Sequence, residues 1–174
     1  MTDTAKPFLI NVEDIPWEPF VRGRFGSEDR DLTQHVRARK LDVTLTRLAP
    51  GQVSCPYHFH HAEEELFYVL EGTGRLRYGG EERRVGAGDV IGCPTGPEGA
   101  HQLVNDGDAP LVYLAISTVE PWEICEYPDS DKVLAIAAAA DGSRAYRAVF
   151  PRSAKVDYWH GEVGADERTE AGDS

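Results

Sequence analysis

The chain predicts an all-β domain, a sandwich or barrel of many short strands, and three observations predict it. The first is alternation. In "LDVTLTRL", residues 41 to 48, Leu41, Val43 and Leu45 fall on one face and Asp42, Thr44 and Thr46 on the other, the period of a half-buried strand. The second is punctuation. Turn-forming groups recur at short intervals: "APGQ" at 49, "EGTG" at 71, "YGGE" at 78, "GAGD" at 86, "PTGPEG" at 94 and "NDGD" at 105. The third is what lies between those turns. "LFYVL", "GRLRY", "ERRV", "DVIG", "HQLVN" and "PLVYLAIST" are all of strand length, several are rich in β-branched or aromatic residues, and no helical period competes between 41 and 118.

Taken in order, residues 1 to 40 are rich in Pro, Asp, Glu and Arg and show no sustained period. They read as an N-terminal arm packed on the domain through Phe8, Ile10, Ile15, Trp17 and Phe20. Residues 41 to 118 form the barrel core, with Gly79 and Gly80 as a two-residue hairpin turn. Residues 119 to 160 read as a C-terminal extension packing on the barrel. Within it "EPWEICEYPDS" is irregular with a short strand, and "KVLAIAAAADG" fits a helix, for its alanines, or a strand running back along the domain. Residues 161 to 174, acidic and poor in large apolar groups, read as a mobile tail.

A length of 174 residues suits one domain with arms, and 41% hydrophobic with 28% charged residues is ordinary for a globular protein. The net charge of −12, with "HVRARK" at 35 to 40 as the only dense basic patch, disfavours nucleic-acid binding. No window approaches the ~20 apolar residues of a membrane span, and no signal-peptide core precedes the domain, so a cytoplasmic location is expected. Three cysteines, Cys55, Cys93 and Cys125, with no CxxC pair, read as small reduced core residues.

The chemistry concentrates in "CPYHFHHAEEELFYVLEG", residues 55 to 72. On a strand, His58 and His60 leave from one face, whereas a helix would splay them by about 200°. Glu65 opens the next strand, and a turn at 61 to 64 brings it beside them. Two imidazoles and a carboxylate suit a first-row transition metal. His101 opens a later strand after a Pro/Gly-rich loop, and in a closed barrel it can meet the other three at the centre. His61 points to the opposite face from His60. Six residues separate Glu65, rather than Glu63 or Glu64, from Gly72. Phe67 and Val69 share the face of Glu65 and line the pocket, while Tyr68 and Leu70 pack the other face.

These two stretches resemble the paired motifs of the cupin superfamily, whose fold is a small double-stranded β-helix, a jelly-roll-like barrel. The first motif runs from Gly51 through His58, Phe59, His60 and Glu65 to Gly72. The second runs from Gly88 through Pro94, Thr95, Gly96 and His101 to Asn105. The spacing carries one extra residue after Gly51 and two between Gly96 and His101, both in loops. The intermotif segment, 73 to 87, is short, as in compact bacterial single-barrel cupins.

The resemblance implies His58, His60, Glu65 and His101 as ligands of one divalent transition metal ion, with Fe, Mn, Zn, Ni and Co all compatible. It also implies a small-molecule substrate or ligand and a homodimer. The function so implied is a metal-dependent enzyme on a small oxygen-rich metabolite, a sugar or carboxylate derivative, of isomerase, decarboxylase or dioxygenase type. The alternative is a non-catalytic cupin that binds or senses a small molecule. Arg75, Arg77, Tyr57, Tyr68 and Tyr78 are candidate substrate contacts by residue type alone, and spacing selects no catalytic residue beyond the four ligands.

Overall fold

The computed structural model describes residues 8–36, 38–141 and 143–163. Among the described residues there are thirteen strands. In order they are β1 (Glu18–Arg22), β2 (Phe25–Asp31), β3 (Leu41–Leu48), β4 (Phe59–His60), β5 (Glu65–Glu71), β6 (Thr73–Tyr78) and β7 (Glu81–Gly86). There follow β8 (Val90–Cys93), β9 (His101–Val104), β10 (Leu111–Thr118), β11 (Trp122–Tyr127), β12 (Lys132–Ala138) and β13 (Arg144–Pro151). Between them lie only single turns of 3-10 helix. The fold is all-β, as the turn spacing predicts.

Two layers close on each other. One is a six-stranded sheet in the order β1-β2-β3-β10-β5-β8. The other joins β7-β6-β9 to β4-β11-β12-β13 through a bridge between His58 and His101. Every strand pairing is antiparallel. The core between the layers holds Leu48, Phe67, Val69, Leu76, Ile91, Leu103, Leu111 and Tyr113.

On β5 the inward positions are Glu65, Phe67 and Val69, as alternation requires. Tyr68 and Leu70, expected to pack the other face, are more than a third exposed, as is Leu66. Tight turns hold the sequence motifs to the fold. Gly79 and Gly80 both take positive φ between paired Tyr78 and Glu81, a turn whose twist matches a hairpin. Asn105, which closes the second motif, is fully buried. Its amide donates to Leu48 O and Ala109 O, and its side-chain oxygen accepts from Gly107 N–H.

The N-terminal stretch departs from a period-free arm. Residues 18–31 form a hairpin, and β2 continues the large sheet by pairing with β3. Its buried positions are Gly26, Ser27 and Arg30, so the strand carries no apolar alternation to read. Of the expected anchors, Ile15 is buried, Phe8 and Phe20 are exposed, and Trp17 lies between two guanidinium groups, Arg30 at 4.3 Å and Arg47 at 4.4 Å.

The C-terminal stretch 122–151 is a three-stranded meander. "KVLAIAA" is a strand, the second of its two readings: paired on both sides, it satisfies its backbone by ladder bonds that outweigh alanine's helix propensity. Residues 164–174 of the acidic segment lie outside the described residues.

Candidate metal centre

The four residues singled out in the sequence meet between the layers. His58 sits at the bridge to β9, His60 ends β4, Glu65 opens β5 and His101 opens β9. Their positions follow from two devices. The Pro/Gly-rich loop 94–100 ends in a 3-10 turn whose carbonyl at Gly99 takes the His101 Nδ1. The sharp turn 61–64 reverses the chain so that His60 and Glu65, on neighbouring strands, face one point.

Glu65 Oε2 is the common centre. It lies 2.9 Å from His101 Nε2, 3.2 Å from His60 Nε2 and 3.9 Å from His58 Nε2. The nearest-ligand atoms of His58, Glu65 and His101 fall within 4.8 Å of one another. His60 stands on the far side of the carboxylate, its ring 6.4 Å from that of His101. Donors about 2.0–2.2 Å from a common ion stand roughly 3–4 Å apart, so the spacing fits a metal.

The orientation of the rings bears on the fit. His58 Nδ1 is 2.9 Å from Pro56 O, and His101 Nδ1 is 2.9 Å from Gly99 O. A carbonyl oxygen only accepts, so each Nδ1 carries a hydrogen and each Nε2 is turned inward, toward the Glu65 carboxylate. His60 Nδ1, His60 Nε2, His101 Nε2 and Glu65 Oε2 are all buried without a hydrogen-bond partner. A buried carboxylate among inward imidazole nitrogens requires either a cation or protons on those rings, and the donor set suits a transition metal.

Without an ion, a proton on His60 balances the carboxylates on its two sides. Burial would raise the Glu65 carboxyl, but His101 and His60 outweigh it and hold the group well below the usual carboxylate range. Burial would lower His60, but the Glu123 and Glu65 carboxylates on its two sides raise it to about 10. Burial, reinforced by His101, pushes His58 down to about 4.

Around these four stand residues that sequence reasoning did not assign to the site. Cys125 pairs in register with His60, Cys93 pairs with Glu65, and Cys55 Sγ is 3.6 Å from His58 Nδ1. All three are free thiols, pushed up to about 12 by burial and so neutral. Tyr127 stacks on His58 with ring centroids 5.9 Å apart, and Lys132 Nζ lies 4.5 Å from the centre of the Tyr127 ring. Glu123 is buried at 4% exposure, and its carboxylate lies 3.6 Å from His60 Nδ1. The only trace of this second set in the sequence is that Glu123, Cys125 and Tyr127 alternate in "PWEICEY".

The contacts proposed by residue type are committed elsewhere. Arg75 binds Glu82, Arg77 binds Asp129 and covers the Tyr57 ring, Tyr78 donates to Gly92 O, and Tyr68 faces outward. His61 is exposed and bonded to Glu126. A cavity of about 370 Å³ opens beside β5 between Leu41, Glu64, Leu66, Cys93 and Ile116. It shares Glu65 with the four residues and borders none of the histidines, so it is not the space in front of their Nε2 atoms.

A double-stranded β-helix with three inward histidines and a glutamate at one end defines a class, and comparison with known proteins agrees. The cupin-domain family profile matches residues 44–117. The crystal structure of a candidate sugar phosphate isomerase from Acidithiobacillus ferrooxidans is 27% identical and superposes with a TM-score of 0.76, over 89% of this chain and 98% of that one. A sugar phosphate isomerase of the cupin superfamily from Silicibacter pomeroyi is also 27% identical, with a TM-score of 0.72 over 84% and 94% of the two chains. The oxalate-binding protein of Thermotoga maritima is 36% identical over 70 residues, 40% of this chain and 55% of that protein. This chain spans about half the length of the curated relatives it matches. Residues 44–117 thus match a cupin domain, and the shared fold supports the cupin superfamily for this chain.

Proposed function

We propose that this cupin binds one divalent transition metal through His58, His60, Glu65 and His101 and acts on a small oxygen-rich metabolite, a sugar phosphate being the foremost candidate. The observation that carries the metal is the set of buried, unpartnered ring nitrogens facing the carboxylate at Glu65 Oε2. The substrate class is supported by the two sugar phosphate isomerases, which share the fold over almost their whole length. Aldose–ketose isomerisation moves one proton between adjacent carbons and is redox-neutral overall. A divalent ion at the centre supplies Lewis acidity toward the substrate's oxygens.

The chain's own residues supply the rest. Pro56 O and Gly99 O hold two imidazoles with Nε2 inward. The Tyr127 hydroxyl, kept protonated by burial, offers a donor beside His58, and Lys132 behind its ring offers a positive charge to an anionic group. Glu63 has a carboxyl raised by burial, lies next to His60 and is the nearest group suited to carry a proton.

The second reading, a binder without turnover, is favoured by the match to an oxalate-binding protein. The discriminating experiment begins with elemental analysis of untagged protein, wild type against His60→Ala. Stoichiometric metal in the wild type and at least a tenfold loss in the variant are expected; full metal in the variant sinks the site. Metal-loaded protein is then given a panel of aldose and ketose phosphates. Ligand retention without turnover selects the binder.

A homodimer, no nucleic-acid or membrane partner and a cytoplasmic location belong to the same reading. They are supported by the apolar outer face of β5 and β8 (Leu66, Tyr68, Leu70 and Val90), the three free thiols and the acidic net charge. A monomer mass by light scattering would remove the dimer. Among the described residues no helix is long and apolar enough to cross a membrane.

A further inference from the structure

Glu123 lies beyond the stretch matched by the cupin-domain profile, on the meander strand β11 that pairs with β4. Its buried carboxylate gathers three consecutive backbone donors of the turn between His60 and Glu65. Oε1 accepts from His61 N–H at 2.9 Å. Oε2 accepts from Glu63 N–H at 2.8 Å and Ala62 N–H at 3.3 Å. The same Oε2 lies 3.6 Å from His60 Nδ1, the ring nitrogen turned away from Glu65. Among the described residues no lysine or arginine pairs with it.

His58 and His101 have backbone carbonyls behind their Nδ1 atoms. His60 has no such carbonyl: its Nδ1 has no hydrogen-bond partner, and the Glu123 carboxylate stands behind it at 3.6 Å, a charge contact longer than a hydrogen bond. A carboxylate behind a ligating imidazole fixes its tautomer and orientation and raises its basicity as a donor. Fastening the turn N–H groups, the same carboxylate also sets the distance from His60 to Glu65.

We infer that Glu123 is a positioning residue of the metal centre, which holds His60 with Nε2 toward the ion and pins the 61–63 turn that brings Glu65 opposite. This rests on the reading of His60 as a ligand. The rival assignment makes Glu123 itself a ligand of a second ion with His60 and Glu63, whose ligand atoms also fall within 4.8 Å of one another. Its oxygens already accept three N–H bonds and face the His60 ring, which leaves little lone-pair capacity for an ion and disfavours that rival.

The test uses zinc, which is diamagnetic, on wild type and Glu123→Gln, both labelled with 15N-histidine. Wild type is expected to bind one equivalent, with His60 carrying its proton on Nδ1. Glu123→Gln is expected to keep its circular dichroism spectrum, to bind zinc about 10–100-fold more weakly and to show a shifted His60 Nδ1 proton signal.

A folded Glu123→Gln protein with zinc affinity within twofold of wild type, or weaker binding with the His60 signal unmoved, overturns the inference. So does a second zinc equivalent that the substitution abolishes, since Glu123 is then a ligand. Should the variant not fold, wild type alone decides: a zinc-loaded His60 with its proton on Nε2 overturns the inference, and one with its proton on Nδ1 upholds it. Failure of the metal centre itself looks different, as wild type that binds no zinc or His60→Ala that binds it undiminished.

Discussion

At the scale of single residues, the two sequence motifs contain two kinds of position. The histidines and Glu65 converge on one point and are the proposed metal ligands, whereas Gly72 and Asn105 hold the chain in place around them. Gly72 has φ +78°, and a Cβ there would lie 2.2 Å from Pro110 O, so no rotamer relieves the contact. Gly72→Ala is therefore expected to cost about 2–4 kcal/mol, combining left-handed strain with a backbone clash. Urea denaturation would read this as a lowered midpoint at unchanged slope. A midpoint equal to wild type would mean that the β5–β6 turn can relax. Strand periodicity put His58 and His60 on one face with Glu65 near them, and the resemblance to the paired cupin motifs added His101, because these residues sit at strand ends whose phase is local. Glu123 was not legible in that way. Its partners are 60 to 62 residues distant, and an isolated glutamate in "PWEICEY" looks like any solvated acid.

Among elements, the added strands at both ends are what distinguish this chain's use of the fold. The β1–β2 hairpin lengthens the large sheet, and the segment before it is clasped by Trp17 between Arg30 and Arg47. Those two guanidinium groups are in turn paired with Glu13 and Glu28. Each cation–π contact is worth about 0.5–2 kcal/mol, depending on desolvation. Trp17→Ala is expected to lower stability by about 1–3 kcal/mol and to speed amide exchange in residues 11–22 selectively. Equal acceleration in β5 and β9 would show that the clasp is not local. The hairpin escaped the sequence because a strand with Gly, Ser and Arg inside shows no apolar period. "KVLAIAA" was ambiguous because alanine suits a helix and small β-residues suit a strand; only pairing with β11 and β13 resolves it.

Across the whole molecule, the centre ties the layers together, since its four residues come from β4, β5, β9 and the bridge between the sheets. A ligand that binds only the folded state stabilises it by mass action, about 2.7 kcal/mol at a hundredfold excess over Kd. For a chain of this size that corresponds to a melting shift of roughly 5–10 °C. Zinc or manganese added to metal-free protein should produce such a rise, and a chelator should reverse it. A melting temperature indifferent to both would mean that the convergent residues hold no ion. The expected increment also links the layers to function: loss of metal should loosen β4 and β9 first, where His58 and His101 bridge.

By itself the sequence determined the strand-rich class and singled out the four residues that the structure brings together, because alternation, turn glycines and motif spacing are all short-range properties. Tertiary structure decided the rest. Contacts spanning some sixty residues put Glu123 behind His60, and three cysteines from two strands and a loop became neighbours of one site. Sheet pairing brings together residues that no local pattern relates, and burial then gives an ordinary glutamate and three ordinary thiols an environment that only the closed barrel creates.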